Sequence, residues 1–299
     1  MTDSVPTPSA LLIATRERTA EALASGNLTR VNTSKETHIH GDIPYFYHIL
    51  QGSDDKVKNL ATQKKKTKLD GQQPNPFCPY DPNMEVAPLC DDHVLLLNKF
   101  PVIENHLLII TRLYEHQDRL LTVANFFALG VVLREIDGLG FYNGGAAAGA
   151  SQHHKHLQVA PFPLAGIGNP LPLAPLLMLG DMRGRMGVSA DLPFCHLLGE
   201  LPRHWYQQPE AASMELHALY LAMLRRLGCG GGMGNPGPYN LLVTRDWMFL
   251  VPRSCEFYRG ISINSLGFAG SIFLRNREQL SLVQQMGPLN LLRGVCFSR

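Results

Sequence analysis

From Phe141 to Pro161 the chain reads Phe-Tyr-Asn-Gly-Gly-Ala-Ala-Ala-Gly-Ala-Ser-Gln-His-His-Lys-His-Leu-Gln-Val-Ala-Pro. Gly144, Gly145 and Gly149, set among Ala146, Ala147, Ala148, Ala150 and Ser151, leave almost no side-chain bulk, so backbone N–H groups can come close to a ligand and turn toward an anion. That is the chemistry of a phosphate-holding loop. Behind it His154, His156 and Gln158 alternate with Lys155 and Leu157, and in a strand the period of two places all three on one face. A strand entering at Tyr142 and Asn143 and a second from His154 to Ala160 are therefore expected to flank the loop.

A neutral imidazole is a good nucleophile toward phosphorus, and a covalent intermediate divides one hard displacement into two easier ones. His-x-His alone is weak, because that spacing more often marks metal ligands or hydrogen-bonded histidines. The glycine loop before it and the Gln after it change the weighting. The stretch resembles the His-x-His-x-Gln signature of the transferase branch of the histidine-triad superfamily. Asn-Gly-Gly followed by Gly-Ala-Ser-Gln-x-His-Lys-His-Leu-Gln resembles, within that branch, the diadenosine tetraphosphate phosphorylase family, also called ATP adenylyltransferases.

Composition sets broad limits. The 299 residues suffice for one large domain or two coupled ones, with 45% apolar and 17% charged residues and a formal net charge of +2. A charge that small does not point to nucleic acid or an anionic membrane as partner. Cys78, Cys90, Cys195, Cys229, Cys255 and Cys296 form no Cys-x-x-Cys pair, so reduced thiols in a cytoplasmic protein are expected rather than disulfides or a zinc knuckle. The N-terminus lacks signal-peptide character and no run approaches the ~18 apolar residues of a membrane span.

Taken in order, Ala10 to Ser25 reads as a helix with Gly26 beyond it, and Ile43 to Gln51 as a strand. A lysine-rich segment follows, Lys56 to Lys68, whose plain reading is a solvated face. The proline-rich Pro74 to Pro82 reads as scaffold. Val94 to Asn98 and Leu107 to Thr111 look like an antiparallel pair, and Leu120 to Leu139 has the period of a helix closed by Gly138 and Gly140. His196, among apolar residues, reads as a satisfied core histidine. Ala211 to Leu227 is an amphipathic helix, Gly228 to Gly232 a flexible loop, Tyr239 to Thr244 and Trp247 to Arg253 a hairpin, and Arg277 to Met286 a closing helix.

The resemblance covers about Ile43 to Met286 and implies an α+β fold: a histidine-triad-like antiparallel sheet with packed helices, extended by a C-terminal half of related topology. The expected division is 1–186 for the catalytic region and 187–299 for the second half, the two forming one compact unit. It implies cleavage of diadenosine tetraphosphate by phosphate to ATP and ADP, with His156 as nucleophile, Gln158 stabilising the phosphorus oxygens and His154 orienting phosphate or His156. Carried over by motif, Asn143, Gly149, Ala150, Ser151 and Gln152 contact nucleotide, as do Asn264, Ser265, Leu266, Ser271 and Arg275, while Lys56 and Lys99 reach phosphates. No metal ligand and no tightly bound cofactor are implied beyond a divalent cation such as Mg carried by the polyphosphate. The partners are nucleotides and phosphate, without nucleic acid or membrane.

Ser271 stands where the family often has Met, Arg275 where it has Lys, and Ala146 to Ala148 replace more polar loop residues. Two other readings compete. A hexose-1-phosphate uridylyltransferase would carry proline inside the histidine run and paired cysteines for zinc, where this chain has Lys155, Leu157 and no pair. A non-catalytic sensor of dinucleotide polyphosphates would need no intact His-x-His-x-Gln.

Overall fold

The computed structural model describes residues 9–51, 75–164, 171–177, 181–183, 185–229 and 235–299; Lys56 with the rest of the lysine run, and residues 230–232 of the expected glycine loop, lie outside the described residues. Helix α1, Ala10–Ala24, is opened by Ser9, whose hydroxyl accepts from the Leu12 N–H. Strands β1 (Thr33–His40) and β2 (Ile43–Leu50) form a hairpin. β1 carries Thr, Ser, Lys, Glu and His with three of its eight residues exposed and none fully buried, and so has no apolar alternation to announce it.

Next come β3 (Glu85–Cys90), β4 (His93–Leu97), β5 (Leu107–Thr111), helix α2 (Val123–Glu135), β6 (Gly138–Gly144) and β7 (His156–Pro161). Helix α2 is shorter than the 120–139 that periodicity suggests. Thr122 and Asn125 close a capping box at its start, and Ile136 is already extended, so the apolar residues beyond it belong to β6. The second half supplies β8 (Asp181–Arg183), β9 (Met186–Val188), β10 (Leu197–Glu200), α3 (Pro209–Arg226), β11 (Tyr239–Val243) and β12 (Trp247–Pro252). The short pair β13 (Phe257–Tyr258) and β14 (Ile261–Ser262) precedes β15 (Ser271–Leu274), α4 (Arg277–Met286) and α5 (Pro288–Arg293).

Among the described residues ten strands make one antiparallel sheet in the order β3-β4-β5-β7-β6-β11-β12-β10-β9-β8. β6 of the first half pairs with β11 of the second, so the sheet runs unbroken from one to the other, and the β8-β9 hairpin straddles residue 186. This is the expected α+β architecture. Helices α1, α2 and α3 cover one face, burying Leu95, Leu97, Leu107, Ile109, Leu157, Val159, Leu241 and Leu250. The other face packs against β2, β15, α4 and α5 through Tyr45, Tyr47, Phe141, Leu242, Phe249, Ile272 and Val283. Strand period decides what remains for chemistry: with Leu157 and Val159 spent on the helices, His156 and Gln158 face away from them.

β2 also pairs in parallel with β15, Phe46 opposite Ser271 and His48 opposite Phe273. Through this pairing the C-terminal segment folds back over the N-terminal half, which carries residues 264–275 to the mouth of the glycine loop. Among the described residues no helix is long and apolar enough to cross a membrane.

Candidate active site

One row across the sheet assembles the site. Ile110 pairs with His156, Asn143 pairs with Asn240, and extending the register Phe141 opposite Gln158 by two residues brings Asn143 opposite His156. The buried Gln117 holds the two strands at this point. Its Nε2 donates to the carbonyls of Asn143 (2.9 Å) and His156 (3.2 Å), and its Oε1 accepts from the His156 N–H (2.8 Å).

His156 is buried, and its Nδ1 lies 2.8 Å from the carbonyl oxygen of His154. Only a protonated Nδ1 can meet a carbonyl, so Nδ1–H donates and Nε2 keeps its lone pair, with no partner among the described residues. Burial pushes the pKa of His156 down to about 4, against the smaller opposing effect of the His154 carbonyl. The result is a neutral imidazole whose Nε2 stays unprotonated at neutral pH.

His154 is differently placed. Its Nε2 lies 2.8 Å from the Thr111 carbonyl and 3.0 Å from the Thr111 hydroxyl, and its Nδ1 takes a hydrogen bond from the Asn75 amide at 2.8 Å. Both nitrogens are thus engaged within the protein, and the His154 backbone carbonyl accepts from His156 Nδ1–H. Asn75 and Phe77 come from the segment read as scaffold; Phe77 lies 5.7 Å, ring to ring, from His154 and 5.4 Å from His156, so this connection is one wall of the site.

Gln158 accepts at Oε1 from His106 Nε2 (2.9 Å), and His106 Nδ1 in turn takes a hydrogen bond from the Asn98 amide (3.1 Å). Asn98 can only donate to a bare Nδ1, so His106 carries its proton on Nε2 and the Gln158 amide must offer its oxygen there. Its NH2 is left to donate outward. Burial holds His106 near a pKa of about 4, so this donor stays neutral. Replacing His106 by Leu should free the amide to turn over and lower kcat by about tenfold to a hundredfold with little change in KM, since a lost oxyanion donor costs on the order of a hundredfold or more. Steady-state kinetics with an unchanged kcat would remove His106 from this role.

The loop is a short 3-10 turn, Ala146–Ala148, between Gly145 and Gly149, both at positive φ. A Cβ on Gly149 would stand 2.8 Å from the Asn264 Cβ and 2.9 Å from the Ile263 carbonyl, so only glycine lets the loop pack on that segment. Ala150 N–H is tied to the Gly145 carbonyl, whereas Ser151 and Gln152 make no hydrogen bond among the described residues. Ser265 is buried against Asn143, donating to its Oδ1 from the backbone N–H (2.9 Å) and the hydroxyl (2.8 Å), and Leu266 N–H donates to Asn264 Oδ1.

The structure therefore brings Asn143, Gly149, Asn264, Ser265 and Leu266 into one patch beside His156. Ser271 and Arg275 lie with Asn264 around a neighbouring cavity of about 200 Å³. Ser271 Oγ is 2.9 Å from Nε2 of the buried His48, and the Arg275 side chain makes no ion pair among the described residues. Lys99 sits exposed on the turn after β4, its Nζ unpaired among the described residues. His196 is the satisfied core histidine expected, donating from Nδ1 to the Phe194 carbonyl and accepting the Ser189 N–H. Gln117, Asn75, Asn240 and Arg253 went unread because nothing local in sequence marks them.

Fold and site together define an α+β protein in which a buried, neutral histidine with an unpartnered Nε2 among the described residues stands beside a glycine loop. Residues 1–179 match the model of the Ap4A phosphorylase N-terminal domain, and residues 190–298 that of the ATP adenylyltransferase C-terminal domain. The chain belongs to the Ap4A phosphorylase family. It is 32% identical over 213 residues to Protein APA1 of Saccharomyces cerevisiae, covering 65% of each chain. It is 30% identical over 241 residues to diadenosine 5',5'''-P1,P4-tetraphosphate phosphorylase 2 of the same yeast, covering 71% of this chain and 72% of that protein. The crystal structure of yeast Ap4A phosphorylase Apa2 in complex with AMP shares the fold, with a TM-score of 0.78 over 97% of this chain and 98% of that one at 23% identity. The complex of the same enzyme with Ap4A gives 0.77 over 98% and 99%.

Proposed function

We propose that the chain cleaves diadenosine tetraphosphate with inorganic phosphate to ATP and ADP, through AMP carried on His156. The observation that carries this is the free Nε2 of an imidazole whose other nitrogen is pinned to the His154 carbonyl. Nε2 attacks the α-phosphorus, the bond from that phosphorus to the bridging oxygen breaks, and ATP leaves with the bridging oxygen. A phosphate oxygen then attacks the same phosphorus, the P–N bond breaks, and ADP departs with the imidazole neutral again. The Gln158 NH2 and the Ser151 and Gln152 N–H groups serve the non-bridging oxygens in both steps. Because Gln158 cannot supply a proton, the leaving group must be a good one unaided, which polyphosphate is and an alkoxide is not.

A divalent cation such as Mg belongs to the polyphosphate in this reading, and no tightly bound cofactor takes part. Nucleotides and phosphate are the partners, the cytoplasm the compartment. Lys99 and Lys56 are assigned to the phosphates beyond the α-position, and Ser271 and Arg275 to the far part of the substrate. The test is product analysis with and without phosphate. ADP with ATP, appearing only when phosphate is present, is the expected result. AMP with ATP at the same rate in its absence makes the protein a hydrolase, and binding without products makes it a sensor.

A further inference from the structure

Arg253 is wholly buried, yet among the described residues no carboxylate pairs with it. Its guanidinium lies 5.3 Å over the Phe268 ring and donates to the carbonyls of Val295 (3.1 Å), Cys255 (2.8 Å) and Glu256 (3.5 Å) and to the side-chain oxygen of Asn240. An unpaired buried cation is a costly feature for a scaffold to keep. A guanidinium can only donate, so it decides which end of the Asn240 amide faces it: Oδ1 toward Arg253, Nδ2 away.

That polarity is passed on. Asn240 Nδ2 donates to Asn143 Oδ1 (2.8 Å), the Ala148 carbonyl (2.9 Å) and Ser265 Oγ (3.0 Å). With Ser265 also donating to Asn143 Oδ1, every donor aimed at Asn143 meets its oxygen. The Asn143 NH2 is left without an acceptor among the described residues, on the row it shares with His156.

We propose that Arg253 and Asn240 are positioning residues, the buried cation acting through Asn240 to hold the Asn143 amide with its N–H groups offered to an acceptor oxygen of the bound nucleotide. This rests on the nucleotide reading above, and AMP is the probe. Asn240→Asp keeps Arg253 paired, now with a carboxylate, but sets an acceptor oxygen against Asn143 Oδ1, and the repulsion between the two displaces the Asn143 amide from the position in which its N–H groups face outward. Calorimetry is expected to show AMP affinity reduced by about tenfold or more, the factor for losing one hydrogen bond to a charged group, while the thermal midpoint holds or rises. In an Asn143→Ala background the same change should cost less than about a third of that factor. A merely structural role would lower the midpoint or cost the same in both backgrounds.

Should Asn240→Asp fail to fold, Arg253→Lys and Arg253→Gln decide. Lys can only donate and should keep affinity within about threefold, whereas Gln, able to accept, should lose about fivefold or more. Equal affinities in these two, or wild-type affinity in Asn240→Asp, overturn the relay. Wild-type protein that binds no AMP overturns the nucleotide reading instead.

Discussion

Replacing His156 with alanine should lower kcat by on the order of 10⁴-fold or more, the scale at which losing the nucleophile of a covalent mechanism is felt. The side chain is buried, and its removal leaves a small void and the His154 carbonyl without its donor, for about 1–3 kcal/mol of stability. The variant should therefore fold and bind nucleotide while failing to turn it over. His156→Gly in added imidazole is the sharper form, since the free base can occupy the vacated space and offer a nitrogen to phosphorus. Activity within about tenfold of wild type in either variant, without rescue, would move the nucleophile elsewhere.

Acidification should unfold the protein early. Burial pushes His48, His106 and His156 each down to about 4, and His93, His154 and His196 also fall below the ordinary histidine value. Below pH ~6.5 the unfolded chain binds protons at these rings and the native state does not, so their contribution is whole above that pH and shrinks as pH falls toward 4. At pH 5 each of the three most shifted rings costs roughly 2 kcal/mol relative to pH 7, before unfolded-state effects reduce the sum. A fall in thermal midpoint of about 10 °C between pH 7 and 5 is the corresponding expectation for a chain of this size. His48→Gln can still meet Ser271 but does not titrate, and should flatten the curve by about a third. Melting curves that superimpose at the two pH values would contradict the neutral state of these rings, and with it the unprotonated Nε2 of His156.

What could be read along the chain followed from period and local chemistry. The glycine loop, the face shared by His156 and Gln158, the β11-β12 hairpin and helix α4 all rest on residues close in sequence. β1 escaped because its polar edge-strand pattern carries no apolar alternation, and α2 ran too long because Leu139 continues its period while belonging to a strand. The wiring around the site was illegible for a different reason. Asn75 to His154, His106 to Gln158, and Arg253 through Asn240 to Asn143 are hydrogen bonds across sheet neighbours and long connections, where partners are set by register. His154 shows the limit: its place in the motif was plain, but only the Thr111 and Asn75 contacts show that its ring is spent within the protein.

Labelled diadenosine tetraphosphate incubated with the protein in the absence of phosphate, followed by acid-free proteolysis and mass spectrometry, tests the central claim most directly. One AMP is expected on the peptide that contains His156, labile to acid and released as ADP when phosphate is added. An adduct on any other residue, or continued formation of products with His156 unmodified throughout, would contradict it.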